Sequence, residues 1–97
     1  MPKADPFDFD PVLTSRVRLA IVSALVNHDA EFTQLKELLR LTQGNLGVHA
    51  RKLEEAGYVA VDKRFVDKKP VTTFSLTKEG RAALVAHVRR LRQLLGE

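Results

Sequence analysis

Between Thr33 and Gly57 the chain sets two amphipathic segments almost end to end, and few architectures accommodate that. Thr33 is suited to cap a helix, and Leu35, Leu38 and Leu39 then fall on one helical face. Leu41 interrupts, Thr42 offers a second cap, and Leu46, Ala50 and Leu53 recur at helical spacing until Gly57, a natural C′ residue, stops the run. Two helices of about eight and fourteen residues with so short a connection form a helix-turn-helix.

The flanking segments supply the rest of the core. From Thr14 or Ser15, either a good N-cap, Val17, Ala20, Ile21, Ala24 and Leu25 mark a first helix that lasts until the polar break Asn27, His28, Asp29. Leu19, Val22 and Val26 lie off that stripe, so this helix is greasy over most of its circumference and is expected at the centre of the core. Glu31 and Phe32 read as a very short extended piece. After Gly57, the run Tyr58 to Val61 leads to Phe65, and past Asp67, Lys68, Lys69 and Pro70 a second β-rich run spans Val71 to Leu76, which predicts a hairpin with a basic tip. Thr77 then caps a last helix, Lys78 to Leu95, about 27 Å long, whose Leu84, Val88, Leu91 and Leu95 form a stripe suited to another helix. Residues 1–13, with three prolines and three aspartates, read as an extended arm whose Phe7, Phe9, Val12 and Leu13 could dock on a neighbour. The fold class expected is α+β, mainly α: an arm over 1–13, a three-helix core with its hairpin over 14–77, and a C-terminal dimerisation helix over 78–97.

Ninety-seven residues, 44% of them apolar, suit one core and one domain. The net charge of +4 is unevenly spread: residues 1–41 hold five Lys or Arg against six Asp or Glu, and residues 42–97 hold eleven against six. The positive charge therefore belongs to the C-terminal part, which favours a polyanionic partner there. Cysteine is absent, which excludes disulfides, thiolate zinc sites and cysteine nucleophiles. No apolar run approaches the roughly 20 residues of a membrane span, and Asp5, Asp8 and Asp10 stand where a signal peptide would be basic, so a cytoplasmic protein without membrane contact is expected.

Three pieces of this sequence carry a resemblance: the run Gly44-Asn45-Leu46 through Leu53-Glu54, the exit Ala56-Gly57-Tyr58-Val59, and the junction Phe74-Ser75-Leu76-Thr77-Lys78-Glu79-Gly80. Over roughly residues 12–90 their order and spacing resemble the winged helix-turn-helix regulators of bacteria and archaea, the group that includes MarR-, ArsR- and PadR-type repressors. The resemblance implies a DNA-binding, usually dimeric transcription factor. Metal-sensing ArsR relatives use cysteines or paired Asp, His and Glu ligands on their last helices. Here cysteine is absent and Arg90 follows His87 by one turn, so no metal or other cofactor is expected.

With Leu46, Ala50 and Leu53 inward, rotation by 100° per residue turns Gly44, Asn45, Val48, Arg51, Lys52 and Glu55 outward. In a recognition helix over 42–56, Asn45 can bond an adenine edge bidentately, Val48 can meet a thymine methyl, Gln43 is a second amide reader, and Gly44 with Gly47 lets the backbone sit deep in the major groove. Such a face could be merely solvated, yet glycine costs about 1 kcal/mol against alanine inside a helix, and two of them suggest a reason outside folding. Thr42, His49, Arg51 and Lys52 are assigned to the DNA backbone, as are Lys63, Arg64, Lys68 and Lys69 of a wing over 62–71 that would grip phosphates or the minor groove. Four cations against Asp62 and Asp67 exceed what solubility alone asks of a hairpin.

Other chemistry finds no footing. His28, His49 and His87 fall on different elements without ligand spacing and read as surface histidines. Ser15, Ser23 and Ser75 have no base arranged beside them, and the adjacent Glu54 and Glu55 point to different sides of a helix, so no catalytic role is expected. Arg89, Arg90 and Arg92 frame the apolar stripe, and Leu84, Val88, Leu91, Leu94 and Leu95 are the expected homodimer interface. The favoured function is sequence-specific binding of double-stranded DNA by a homodimeric regulator. The competing class is a winged-helix protein-interaction module, whose binding face would carry aromatic or Met anchors that the third helix lacks. Any small-molecule effector would enter through the dimer interface, a small pocket or a partner.

Overall fold

The computed structural model describes residues 8–97; Met1 to Phe7, and with them the docking expected of Phe7, lie outside the described residues. The elements run α1 (Arg16–Ala24), β1 (Ala30–Glu31), α2 (Phe32–Leu38), α3 (Gln43–Glu55), β2 (Val59–Val66), β3 (Lys69–Leu76) and α4 (Lys78–Leu94). This is a winged helix: a helical core closed by a three-stranded antiparallel sheet in the order β1-β3-β2. Among the described residues no helix is long and apolar enough to cross a membrane.

Three helices start where a hydroxyl satisfies an otherwise free backbone N–H. Ser15 accepts from Arg18 N, Thr42 from Asn45 N and Thr77 from Gly80 N. The start of α2 differs from expectation. Its cap is Glu31, whose own N–H donates to Gln34 Oε1 at 2.8 Å, and Thr33 lies inside the first turn. The short strand is accordingly Ala30–Glu31, paired with Phe74 and Thr73, and Phe32 opens the helix instead of ending the strand. Leu38 is also corrected: it is 68% exposed, while Leu35 is fully buried and Leu39 packs against the core. Arg40 turns the chain with a φ of 54°, and Leu41 N donates to Lys36 O, so a non-glycine residue takes the left-handed position that ends α2 and keeps the turn to α3 short.

Leu13, Ile21, Val22, Leu25, Leu35, Leu46, Ala50, Leu53, Val59 and Phe74 form one core. Val22, off the stripe of α1, is as buried as Ile21, as the all-round apolarity of that helix demands. The core also reaches further forward than an arm ending at residue 13 implies. Asp10 nucleates a turn, accepting from Val12 N through its carboxylate and from Leu13 N through its carbonyl, and this drives Leu13 into the interior. Residues 10–13 are therefore a packed turn, not an extended segment.

The end of β3 and the start of α4 are locked to the exit from α3. Gly57 takes the expected left-handed C′ position at φ 80°, its carbonyl accepts from Thr77 Oγ1 at 2.6 Å, and the Tyr58 carbonyl accepts from Thr77 N. The helix then passes so close that a Cβ on Gly80 would stand 2.2 Å from Tyr58 O. Ala83 and Leu84 pack on the core beyond that contact, and Arg81 ties α4 to the turn after α1 by donating to Val26 O at 2.8 Å. Beyond His87 the helix outruns the core, and the molecule measures 57 × 24 × 21 Å.

Candidate nucleic-acid interface

Helix α3 lies as its sequence pattern requires, with Leu46, Ala50 and Leu53 buried. Gln43, Gly44, Asn45, Val48, Arg51 and Lys52 are all exposed on its other side, Val48 by 56%. The Thr42 hydroxyl is engaged by Asn45 N, so it caps the helix while the Asn45 side chain stays free to reach outward. A Cβ on Gly44 or on Gly47 would meet nothing within 4 Å, and both backbones are ordinary helix. Packing and backbone conformation therefore give no reason for glycine at either position.

His49 is half-buried and turns toward α1, where its Nδ1 lies 3.1 Å from Arg18 Nη1. Arginine only donates, so Nδ1 accepts and the neutral ring carries its proton on Nε2. Burial first, then the Arg18 and Lys52 charges, hold the imidazole below its usual pKa. What His49 has to offer a ligand is therefore an Nε2–H donor on a neutral ring. Arg18, which no spacing in the sequence singles out, also donates to Val12 O at 2.7 Å and so ties the N-terminal turn and α1 to the outer half of α3.

The hairpin pairs from Val59↔Leu76 to Val66↔Lys69 without a break. Asp67 and Lys68 close it with φ of 51° and 64°, the positive values of a two-residue type I′ turn. Strand alternation separates the four cations that the sequence groups together. Lys63 lies on the face of Val61 and Phe74 and lines, with Gly47, Arg51 and Glu54, a cleft of about 240 Å³ between α3 and the sheet. Arg64 lies on the opposite face, paired with Asp62 at 2.7 Å. Lys68 stands at the tip and Lys69 at the start of β3, both exposed. Phe65, expected only as a strand residue, is 77% exposed.

The stripe of α4 divides in two. Leu84 is half-buried against the core, whereas Val88, Leu91, Leu94 and Leu95 are exposed, as is Val85, which the leucine spacing does not include. His87 is not a surface histidine: it is buried, its ring centroid 5.4 Å from that of Phe9, its Nδ1 unpartnered among the described residues. Nearby, Tyr58 donates its hydroxyl proton to the Asp10 carboxylate. That bond, with burial and the Asp10 charge, pushes the phenol up to about 12. Among the described residues no three of His, Asp and Glu converge as metal ligands.

Residues 17–95 match the family model described as a winged helix DNA-binding domain. An uncharacterized protein of Methanocaldococcus jannaschii is 37% identical over 84 residues, 86% of this chain and 91% of its own. Of solved structures, the transcriptional regulator homologue from Pyrococcus horikoshii is similar with a TM-score of 0.82 and 32% identity, over 88% of this chain and 85% of the other. The transcriptional regulator BldR from Sulfolobus solfataricus is similar in fold, with a TM-score of 0.72 at 23% identity over 84% of this chain and 58% of its own.

Proposed function

The chain belongs to the winged helix DNA-binding domain family, and from that membership we propose that it regulates transcription by reading duplex sequence as a homodimer, with no catalytic role. In this reading α3 lies in the major groove, with Gln43, Gly44, Asn45 and Val48 at base edges. Thr42, His49, Arg51 and Lys52 then meet phosphates along the groove wall, and Lys63, Arg64, Lys68 and Lys69 hold the flanking backbone.

The observation that carries the reading is the open space over Gly44 and Gly47 on a face flanked by Arg51 and Lys52. Alanine fits both positions and would favour the helix by about 1 kcal/mol each. A helix that forgoes this gains a low profile, which matters only where something as close-fitting as a groove floor approaches the backbone. The dimer is supported by α4, whose far end exposes Val88, Leu91, Leu94 and Leu95 along one side. Burying such side chains stabilises by roughly 1.5 to 3 kcal/mol each, and a two-fold pairing would set two recognition helices about 34 Å, or a multiple of it, apart along DNA.

Selection of bound duplexes from a random pool tests both parts together. An inverted repeat with half-sites one or two turns apart is the expected result, with affinity falling with salt at a slope of about −0.9 per phosphate neutralised. No enrichment at low salt would overturn the reading. Leu91→Glu with Leu95→Glu should sediment as a monomer and bind the selected site far more weakly; a wild type that is monomeric at micromolar concentration refutes the dimer alone.

A further inference from the structure

We propose that Phe65 is an apolar wedge that the wing inserts into the minor groove beside the recognition helix, a contact that rests on the duplex-binding reading above. Among the described residues Phe65 is the most exposed large apolar side chain. Alternation along β2 carries it on the face of Val61 and Lys63, the face turned toward α3, about 7 Å further out than Lys63 at the rise of a strand. The wedge would therefore meet the duplex to one side of the bases under α3.

The hairpin holds the ring firmly. Val66 and Lys69 flank the two-residue turn and exchange hydrogen bonds, so the next pair, Phe65 and Pro70, is of the non-hydrogen-bonded kind in which facing side chains stand closest. Proline suits that position because it has no N–H to offer, and β1 reaches only Thr73 and Phe74, leaving the outer edge of Pro70 without a strand partner. A phenyl ring has only two side-chain torsions to fix, so it loses little freedom when it inserts.

Its surroundings specify the partner. Lys63 shares its face, and Lys68 and Lys69 stand at the tip, all exposed. A protein pocket for phenylalanine has no need of surrounding cations. A duplex presents both demands at once, rails of phosphate and, between them, the apolar edges of stacked bases that a wedge can part. Parting is easiest at flexible pyrimidine–purine steps, so the wing should prefer such a step beneath it and bend the duplex there, adding selectivity at positions α3 does not touch.

The test uses the full chain and a duplex taken from the selection, reading affinity by anisotropy and bending by end-to-end energy transfer. Phe65→Ala should weaken binding about tenfold, the order of loss on removing one aromatic contact to a base, and should straighten the duplex while the salt slope stays unchanged. Phe65→Leu should keep most of the bend, and Lys68→Ala should instead flatten the salt slope and leave the bend. If Phe65→Ala binds and bends the duplex like the wild type, the wedge is refuted while duplex binding stands. A Phe65→Ala variant that changes the sedimenting species but not the bend refutes it too, because the ring then contacts protein. A wild type that binds no duplex at low salt refutes both readings together.

Discussion

A Cβ built on Gly80 would stand 2.2 Å from the Tyr58 carbonyl oxygen, whereas one built on Gly44 or Gly47 would meet nothing within 4 Å. All three glycines lie in helices, where the residue is unfavourable. At the junction of β2 and α4 the neighbouring backbone dictates glycine, and the same contact brings Thr77 within reach of Gly57 O and Tyr58 O. On the outer face of α3 no described residue dictates it. One region is thus constrained by its own packing, and the other, in the proposed function, by the duplex that approaches it. The tip of the wing belongs with the second: Lys68 adopts a φ of 64° where glycine would be easier, and so keeps a cation at the apex.

The widest separation between the two regions should come from alanine. Gly80→Ala forces a methyl group onto backbone and should destabilise the fold by about 3 kcal/mol in urea unfolding. A loss under about 1 kcal/mol would mean the junction relaxes easily, and the contrast would fail. Asn45→Ala should leave the unfolding midpoint unchanged and remove about 1 to 3 kcal/mol of binding, selectively on the preferred duplex. Equal losses on random DNA would move Asn45 from base reading to backbone contact. Gly47→Ala should do what no substitution at the junction does, stabilising the fold by up to about 1 kcal/mol while weakening DNA binding. A variant gaining in both would show that the open glycines serve no groove.

Acid and alkali sharpen the same contrast by smaller steps. Tyr58 belongs to the junction, and its folded pKa, raised to about 12 from 10, stabilises the fold fully below pH 10 and progressively less as pH climbs through 12. Tyr58→Phe should abolish that alkaline decline. His49 lies on α3 with a folded pKa below its ordinary 6.5, so the unfolded chain takes the proton first and stability falls as pH drops beneath 6.5. His49→Gln should flatten the acid limb in chemical denaturation curves; an unchanged limb would separate the imidazole from Arg18.

Much of this division was legible in residues with strong local chemistry. Thr42 and Thr77 announce their helices because a hydroxyl followed by an amphipathic run has few other uses, and Leu46, Ala50 and Leu53 define the buried side of α3 by period alone. The misreadings share a physical cause, competition from outside the window. Thr33 is a better cap than Glu31 by type, but pairing of β1 with β3 ends at Glu31 and Gln34 supplies the acceptor one turn on. Leu38 matches the apolar spacing of α2, yet the helix ends there, and of the three leucines Leu35, Leu38 and Leu39 only the first and last meet the core. Arg18 and His49 meet across 31 residues of chain, and His87 packs on Phe9 from near the other end of the sequence, contacts that periodicity does not encode. Strand alternation could have sorted Lys63 from Arg64 and marked Phe65 as lying beyond the core, because Val61, opposite the buried Phe74, is the last residue of that face to pack on the core.

The hairpin is braced at only one end. Val59, Phe74 and the two-residue β1 hold its root, while the pairs from Asp62↔Thr73 outward have no third strand beyond Thr73 and expose every β2 residue. Mechanically it is a cantilever of graded stiffness. Amide exchange should slow steadily from Val66 back to Val59, the reverse of a rigid plate, in which all rungs would exchange together. In the proposed complex, a tip that yields while its root stays fixed would let one chain follow grooves of differing width without shifting α3.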